Sequence, residues 1–472
     1  MFARSLTALL LLSSLLVAFA GSASAHASGV KVERHAARNA RLSKRGEGGW
    51  GLVEQANGTR TSNIPVRGGQ YELYAWTRDN VTEDAYKNLK RIVFTTHGMG
   101  RDPWNYLLHT QIALTAAVDA GLPVQDGEMG LWAPSYWNQM DDPVANRTDT
   151  NWLFWYRNEW EDGHNSILPE GSSVSSFEVL DNVLAYFGNR TIFPNVDSIV
   201  LASHSMGAQM MQRYALLGNM PDIEPEVHFV VGNPGAYLYI DDQRPVGAGG
   251  AMPLDNCSDW NAYKFGLNKV SDELTYGVPI PNKDLLWQRY QQRNVHYMIG
   301  QLDDGRGANI SCPAYVQGDA HRTRGALFHA YLEHLGGFPA SHTLDYVDCT
   351  HDDQCVFSSP QGQQRLFLQS KKAGQDMPSY IPQGPYNNLF QGPVQFATSD
   401  GEASRMPDGT AFVPTSFRAT NSASPGDSKG STGSQGNASG KSSGALSSVS
   451  ADPFFSTMAA LALVTLASLT TL

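Results

Sequence analysis

The stretch Leu201-Ala202-Ser203-His204-Ser205-Met206-Gly207 constrains this chain more than any other. An apolar, β-branched segment, Val196-Asp197-Ser198-Ile199-Val200, runs into it, and a helical pattern from Ala208 to Leu217 follows, ending at Gly218. A strand, a tight turn carrying serine and a helix together make a nucleophile elbow. Such a turn exposes the Ser205 hydroxyl above a sheet edge. It also aims the free N–H groups of the helix N-terminus at a reacting oxygen. Crowding in the turn calls for small residues two positions to either side of the serine, here Ser203 and Gly207. The usual pattern is Gly-x-Ser-x-Gly, so Ser203 is a departure. A buried structural serine is the competing reading, and the strand-to-helix context favours catalysis over it.

Both ends of the chain read as processing signals. Leu6 to Ala20 is an apolar run behind Arg4, and the small-x-small site Ala23-Ser24-Ala25 follows. The run is short for a membrane span, so residues 1–25 are expected to be a secretory signal peptide. Residues 26–45 hold six Lys/Arg and one acidic residue and end in Lys44-Arg45. That composition suggests a pro-segment cut at a dibasic site, the plainer alternative being a basic linker. Residues 401–450 turn into a Ser/Gly-rich stretch that cannot bury enough surface to offset its ordering entropy, a disordered stalk. The apolar tail 451–472, preceded by the small residues Ser442, Ser443 and Gly444, matches a GPI-anchor signal. A C-terminal transmembrane helix is the alternative, but no basic residue follows the tail. The expected location is extracellular, at the cell surface or cell wall, with the plasma membrane as a partner through the lipid.

Between these ends, residues 46–400 are expected to form one large domain. Four cysteines, at 257, 312, 349 and 355, suit two disulfides in a secreted chain. Of the three possible pairings we favour Cys349–Cys355 as a local loop and Cys257–Cys312 as a longer staple. Sequons begin at Asn57, Asn80, Asn146, Asn189, Asn256, Asn309 and Asn437, several of which we expect to be glycosylated. The net charge of −11 argues against nucleic acid as a partner.

Periodicity predicts strands at Tyr71–Trp76, Arg91–Thr96, Gly130–Pro134, Val227–Gly232, Asn294–Ile299 and Thr343–Val347, besides the one before the elbow. Helices are predicted over 105–120, Ser175–Phe187, 322–334 and Gln363–Gln369. Strands alternating with helices imply an α/β protein with a mainly parallel sheet covered on both faces. In such sheets, sites lie at the carboxyl ends of the strands.

A serine hydroxyl needs a base to take its proton and an acid to orient that base. Asp303 sits four positions past the strand ending at Ile299, and His351 follows the last strand in Asp348-Cys349-Thr350-His351-Asp352-Asp353-Gln354-Cys355. The order Ser205, Asp303, His351 is that of a Ser–Asp–His triad. Asp304 and Asp241 are the other candidates for the acid. Asp352 and Asp353 beside His351 raise a metal site as an alternative, but adjacent residues seldom converge on one ion, and no metal is expected. An oxyanion hole needs two N–H donors, assigned to Met206 and to Met99 in the turn His97-Gly98-Met99-Gly100. Glycines such as Gly98 let backbone approach substrate closely.

The segments "HGMGRDPWNY", "WAPSYWNQMD", "SSFEVLDNVL", "FPNVDSIVLASHSMGAQMMQRYA", "NPGAYLYID", "YMIGQLDD", "CPAYVQGDAHRTRG" and "HDDQCVFSS" cover about 90–370. In their order and spacing they resemble the α/β-hydrolase superfamily, and more narrowly a little-characterised group of secreted or bacterial serine hydrolases. The resemblance implies the α/β-hydrolase fold, the triad, and Cys257 and Cys312 as a pair. It implies no substrate, since one scaffold hosts many chemistries.

Six of the ten Trp lie between Trp104 and Trp160. Their faces could bind an acyl chain or stack on sugar, although packing of a long excursion over the sheet is the stronger reading. Met99, Met206, Met210 and Met211 either line an acyl pocket or fill core. The expectation is thus a GPI-anchored extracellular serine hydrolase acting on a small-molecule, glycan or lipid ester, without a cofactor. The rivals are an acyltransferase or peptidase on the same triad, and an inactive cell-surface binding or adhesion protein.

Overall fold

The computed structural model describes residues 49–50, 57–141, 150–246, 251, 254, 257–276, 282–304, 309–370, 378–380 and 394–397. The expected signal peptide, pro-segment, stalk and anchor tail lie outside the described residues, as do Ser442, Ser443, Gly444 and the sequons at Asn146, Asn256 and Asn437.

An eight-stranded sheet organises the chain. Its strands are β1 (Thr59–Thr61), β2 (Ala75–Arg78), β3 (Arg91–Thr96), β4 (Met129–Pro134), β5 (Ser198–His204), β6 (Glu226–Gly232), β7 (Asn294–Gly300) and β8 (Thr343–Val347). They lie in the order β1-β2-β4-β3-β5-β6-β7-β8. β2 runs antiparallel to both its neighbours, and every other adjacent pair is parallel. Parallel strands are covered on both faces, which explains their unbroken apolar runs. Every residue of β3, β5, β7 and β8 is buried.

The pleat divides these strands between two cores. Ile92, Phe94, Ile199, Leu201, Phe229 and Val231 belong to one, and Val93, Val200, Ala202, Val230 and Met298 to the other. The first core is closed by α2 (Ser176–Phe187), α3 (Met206–Leu217), α4 (Lys283–Gln291) and α5 (His321–His334). The second is closed by α1 (Pro103–Asp119) and α6 (Asp353–Ser358). Ser175 caps α2 by accepting from the Phe177 N–H at 3.1 Å. Among the described residues no helix is long and apolar enough to cross a membrane.

Two elements differ from the sequence reading. The strand expected over Tyr71–Trp76 is two pieces with different partners: Tyr71–Leu73 pairs with Ile64–Val66, and β2 joins the main sheet. The chain switches at Tyr74, whose carbonyl accepts from Ser135 N–H at 2.7 Å and whose ring packs 4.4 Å from Trp152. The last helix, expected over Gln363–Gln369, starts earlier and changes pitch: a short α-helix Pro360–Gln363 leads into a wider, π-helical turn Gln364–Leu368. Buried Arg365 sets that wider turn, because its guanidinium forks onto Asp345 of β8 at 2.7 and 2.9 Å.

Candidate active site

Ser205 stands between β5 and α3 with φ 58° and ψ −122°, a conformation that costs an L-residue energy and that packing must impose. Its N–H is tied to the Gly232 carbonyl at 2.9 Å. Gly207 lets α3 press on the end of β3, since a Cβ there would lie 2.4 Å from the His97 carbonyl oxygen and 2.8 Å from that of Thr96. Ser203, the departure from the glycine pattern, is accommodated. Its backbone is not in the left-handed region, and its hydroxyl donates to the Val230 carbonyl at 2.6 Å.

The loops after β7 and β8 bring Asp303 and His351 to this serine. The Ser205 hydroxyl donates to His351 Nε2 at 2.9 Å, and His351 Nδ1–H donates to Asp303 Oδ2 at 2.7 Å. Asp303 is buried while His351 faces solvent. The two loops are knitted together by the N–H groups of Gln301 and Leu302, which donate to Val347 and Cys349 carbonyls at 2.8 and 3.0 Å. Disulfides join Cys349 to Cys355, around His351, and Cys257 to Cys312.

Burial pushes the Asp303 carboxyl up. The hydrogen bonds from His321 and His351 outweigh it and hold the carboxyl well below the usual range. Asp303 therefore stays ionised. Of the other acids considered, Asp304 is exposed, and Asp241 is engaged by Lys283, the Tyr331 hydroxyl and the Gln243 N–H.

Met206 follows the serine in the chain, and Met99 follows Gly98, where an added Cβ would lie 3.4 Å from Ser205 Cβ. Among the described residues neither N–H has an acceptor, as an oxyanion hole requires. Gly98 contributes room for the close approach. A Cβ on it would meet the Tyr106 phenol oxygen at 2.8 Å and Ser205 Cβ at 3.4 Å. The turn is braced from behind. His97 is buried, and desolvation lowers its pKa to about 3, so the ring is neutral. Its Nδ1–H donates to the Gly98 carbonyl at 2.8 Å, and its Nε2 accepts from Tyr136 N–H at 3.0 Å. Fully buried Arg101 donates to the Met99 carbonyl at 3.3 Å and forks onto fully buried Asp141 at 3.0 and 3.1 Å. Asp141 also accepts from the N–H of Trp50 at 3.0 Å, and the Trp50 indole donates to the Gly100 carbonyl at 2.6 Å.

Sequence reasoning missed several of these groups. Asn233, at φ 44°, ties together the ends of β5 and β7 and the loop after β8. Its side-chain oxygen accepts from Gly300 N–H at 2.7 Å, and its amide reaches His204 Nε2 at 3.4 Å and the Thr350 carbonyl at 3.5 Å. Its signal was present: Asn233-Pro234-Gly235 directly follows a buried strand. Arg101, Asp141 and Trp50 carry no local pattern. His321, a second histidine on Asp303, was equally unforeseen as a site residue.

Asp303, His321 and His351 also place one ligand-type atom each within 4.8 Å of one another. Their Asp–His separations of 2.7 and 3.2 Å are those of N–H donors on a carboxylate, and proton sharing accounts for them. Asp352 and Asp353 turn elsewhere, to the Cys355 N–H and to His109 Nδ1. The aromatic excursion is mostly core: Trp132, Trp137, Trp155 and Trp160 are buried, and Trp160 lies 4.8 Å from the His97 ring. Met210 and Met211 are likewise core, while Met99 and Met206 are half-buried at the site.

No family model matches the sequence, and no curated protein does. Among solved structures, the chain is similar to poly(aspartic acid) hydrolase-1 from Sphingomonas sp. KT-1, at 18% identity over 66% of this chain and 99% of that one, with a TM-score of 0.42. It is similar to LpqC, a poly(3-hydroxybutyrate) depolymerase from Bordetella parapertussis, at 16% identity, 64% and 91% coverage and a TM-score of 0.40. An S-formylglutathione hydrolase from Agrobacterium tumefaciens aligns at 12% identity, 66% and 98% coverage and a TM-score of 0.34. The strand order, the elbow after β5, and Asp303 and His351 after β7 and β8 together constitute the α/β-hydrolase fold.

Proposed function

We propose that this chain is a serine hydrolase that cleaves carboxylic esters through an acyl-enzyme. The observation behind this is the continuous hydrogen-bonded chain from Ser205 through His351 to buried Asp303. Ser205 Oγ attacks the ester carbonyl as His351 Nε2 takes its proton. Asp303 holds the imidazole by its Nδ1–H and stabilises the imidazolium. The negative oxygen of the tetrahedral intermediate is received by the N–H groups of Met99 and Met206. Collapse expels the alcohol, which takes the proton from His351. Water then adds to the acyl-enzyme by the same route and releases the acid, so the protein groups suffice without a cofactor.

The finer reading is an extracellular, glycosylated protein anchored by GPI lipid. It rests on the terminal signals and on sequons at Asn57, Asn80 and Asn189 that are exposed. Release from cells by a phosphatidylinositol-specific phospholipase tests the anchor, and retention after that treatment rejects it.

Ser205→Ala should abolish hydrolysis of small aryl esters while leaving the unfolding transition in place. Fluorophosphonate should label Ser205 and no longer do so in His351→Ala. Full activity in Ser205→Ala, or a well-folded protein that takes no label, would reject the hydrolase reading. The latter result would favour a surface binding protein.

A further inference from the structure

Asp303 holds two imidazoles. Oδ2 accepts from His351, and Oδ1 accepts from His321 Nδ1–H at 3.2 Å. His321 opens α5, is buried, and its ring stacks on that of His351, with centroids 4.1 Å apart and planes 21° from parallel. A base and its orienting acid need only one of the carboxylate oxygens. The second oxygen has thus been given to a group that cannot touch Ser205 through the same atom.

The charged and titratable groups around His321 come from four elements. Asp303 and His351 lie in the loops after β7 and β8, His204 ends β5, and Arg324 stands on α5 itself. Arg324 is turned to the carbonyls of Gly318, Gly235 and Asn309. His204 is buried, and desolvation lowers its pKa to about 3, so it adds no charge. Burial lowers the proton affinity of His321 more than its bond to Asp303 raises it, and the His351 charge adds to the lowering. This lowering favours the neutral ring, which donates to Asp303 through Nδ1–H without adding a second charge beside His351. Two imidazolium rings stacked at this distance would repel.

The consequence follows from sharing. A carboxylate that accepts a hydrogen bond on one oxygen has less charge to offer a cation at the other. His321 therefore orients Asp303 and at the same time tempers its pull on a proton at His351. We propose that His321 is a positioning residue that shares Asp303 with His351 and sets the acid limit of activity, keeping the base free of protons at lower pH than an unshared aspartate would. This rests on the Ser205–His351–Asp303 reading above.

The test is the pH profile of kcat/KM for an aryl ester in three proteins. His321→Phe keeps a stacking ring but donates nothing. Its acid limb should move up by about one pH unit. His321→Asn restores a donor near the Nδ1 position and should return the limb to its wild-type place. A limb unmoved in His321→Phe, or moved equally in both variants, overturns the proposal. Should the Phe variant misfold, His321→Leu is the second non-donor. A measurement on the unmutated protein needs no variant at all: histidine nitrogen NMR should find His321 as the neutral Nδ1–H tautomer throughout the active range. A charged His321 on the activity plateau overturns the proposal. Fluorophosphonate labelling of Ser205 in the same unmutated sample separates the two readings. Absence of label rejects the hydrolase, whereas label with an unmoved limb rejects only the role of His321.

Discussion

Replacing Asp141 with alanine removes a carboxylate shared by four donors. These are Arg101 Nε and Nη2 at 3.0 and 3.1 Å, the Trp50 N–H at 3.0 Å and the Asn138 N–H at 2.8 Å. Asp141 and Arg101 are both wholly buried, so the variant leaves a guanidinium without a counter-charge in a place water does not reach. Breaking such a pair costs about 3–5 kcal/mol. The loss should appear as an earlier urea midpoint followed by tryptophan fluorescence. Activity should fall independently of stability. Arg101 also holds the Met99 carbonyl, and a displaced Met99 N–H forfeits one oxyanion donor, worth roughly a hundredfold to a thousandfold in kcat. The double variant Arg101→Met with Asp141→Leu separates the two effects. Without a stranded charge it should recover most of the stability. The kcat should stay low, because nothing then tethers Met99. If Asp141→Ala unfolds within about 1 kcal/mol of the parent, or if the folded double variant has the parent's kcat, the brace is not what fixes the oxyanion loop.

Two further outcomes follow from the loops. Replacing Cys349 and Cys355 together with serine should cost about 2 kcal/mol, the entropy of a short closed loop, measured by calorimetry. It should also slow kcat roughly tenfold by loosening His351; an unchanged kcat would show that the hydrogen bonds from Gln301 and Leu302 hold the loop unaided. Ser203→Gly restores the usual elbow pattern and removes one buried hydrogen bond, so stability should fall by about 1 kcal/mol. The fluorophosphonate labelling rate should not change, and a large loss of labelling would mean that Ser203 does more than fill a small-residue position.

The parts of this site that could be read from sequence are those whose geometry is local. An elbow is written in consecutive residues, since the strand, the small neighbours and the helix all act on Ser205 within a few positions of it. Asp303 and His351 could be inferred because parallel strands deliver their next residues to one edge of the sheet, so chain order stands in for spatial order. Even the misread strand at Tyr71–Trp76 followed its alternation faithfully; what alternation cannot encode is that Tyr71–Leu73 and β2 pair with different strands. The groups that escaped notice are those that act across the fold. Trp50 meets Asp141 from 91 residues away, Asn233 reaches Thr350 from 117, and Arg101 finds Asp141 from 40. Each looks ordinary in its own segment and becomes specific only when the sheet closes. The same holds for His321, whose meaning lies wholly in the second oxygen of Asp303. Sequence points to Ser205, Asp303 and His351 because each stands on a short turn or loop just past the end of a strand. The residues that hold those turns are free to come from anywhere the packing allows, and only the folded chain identifies them.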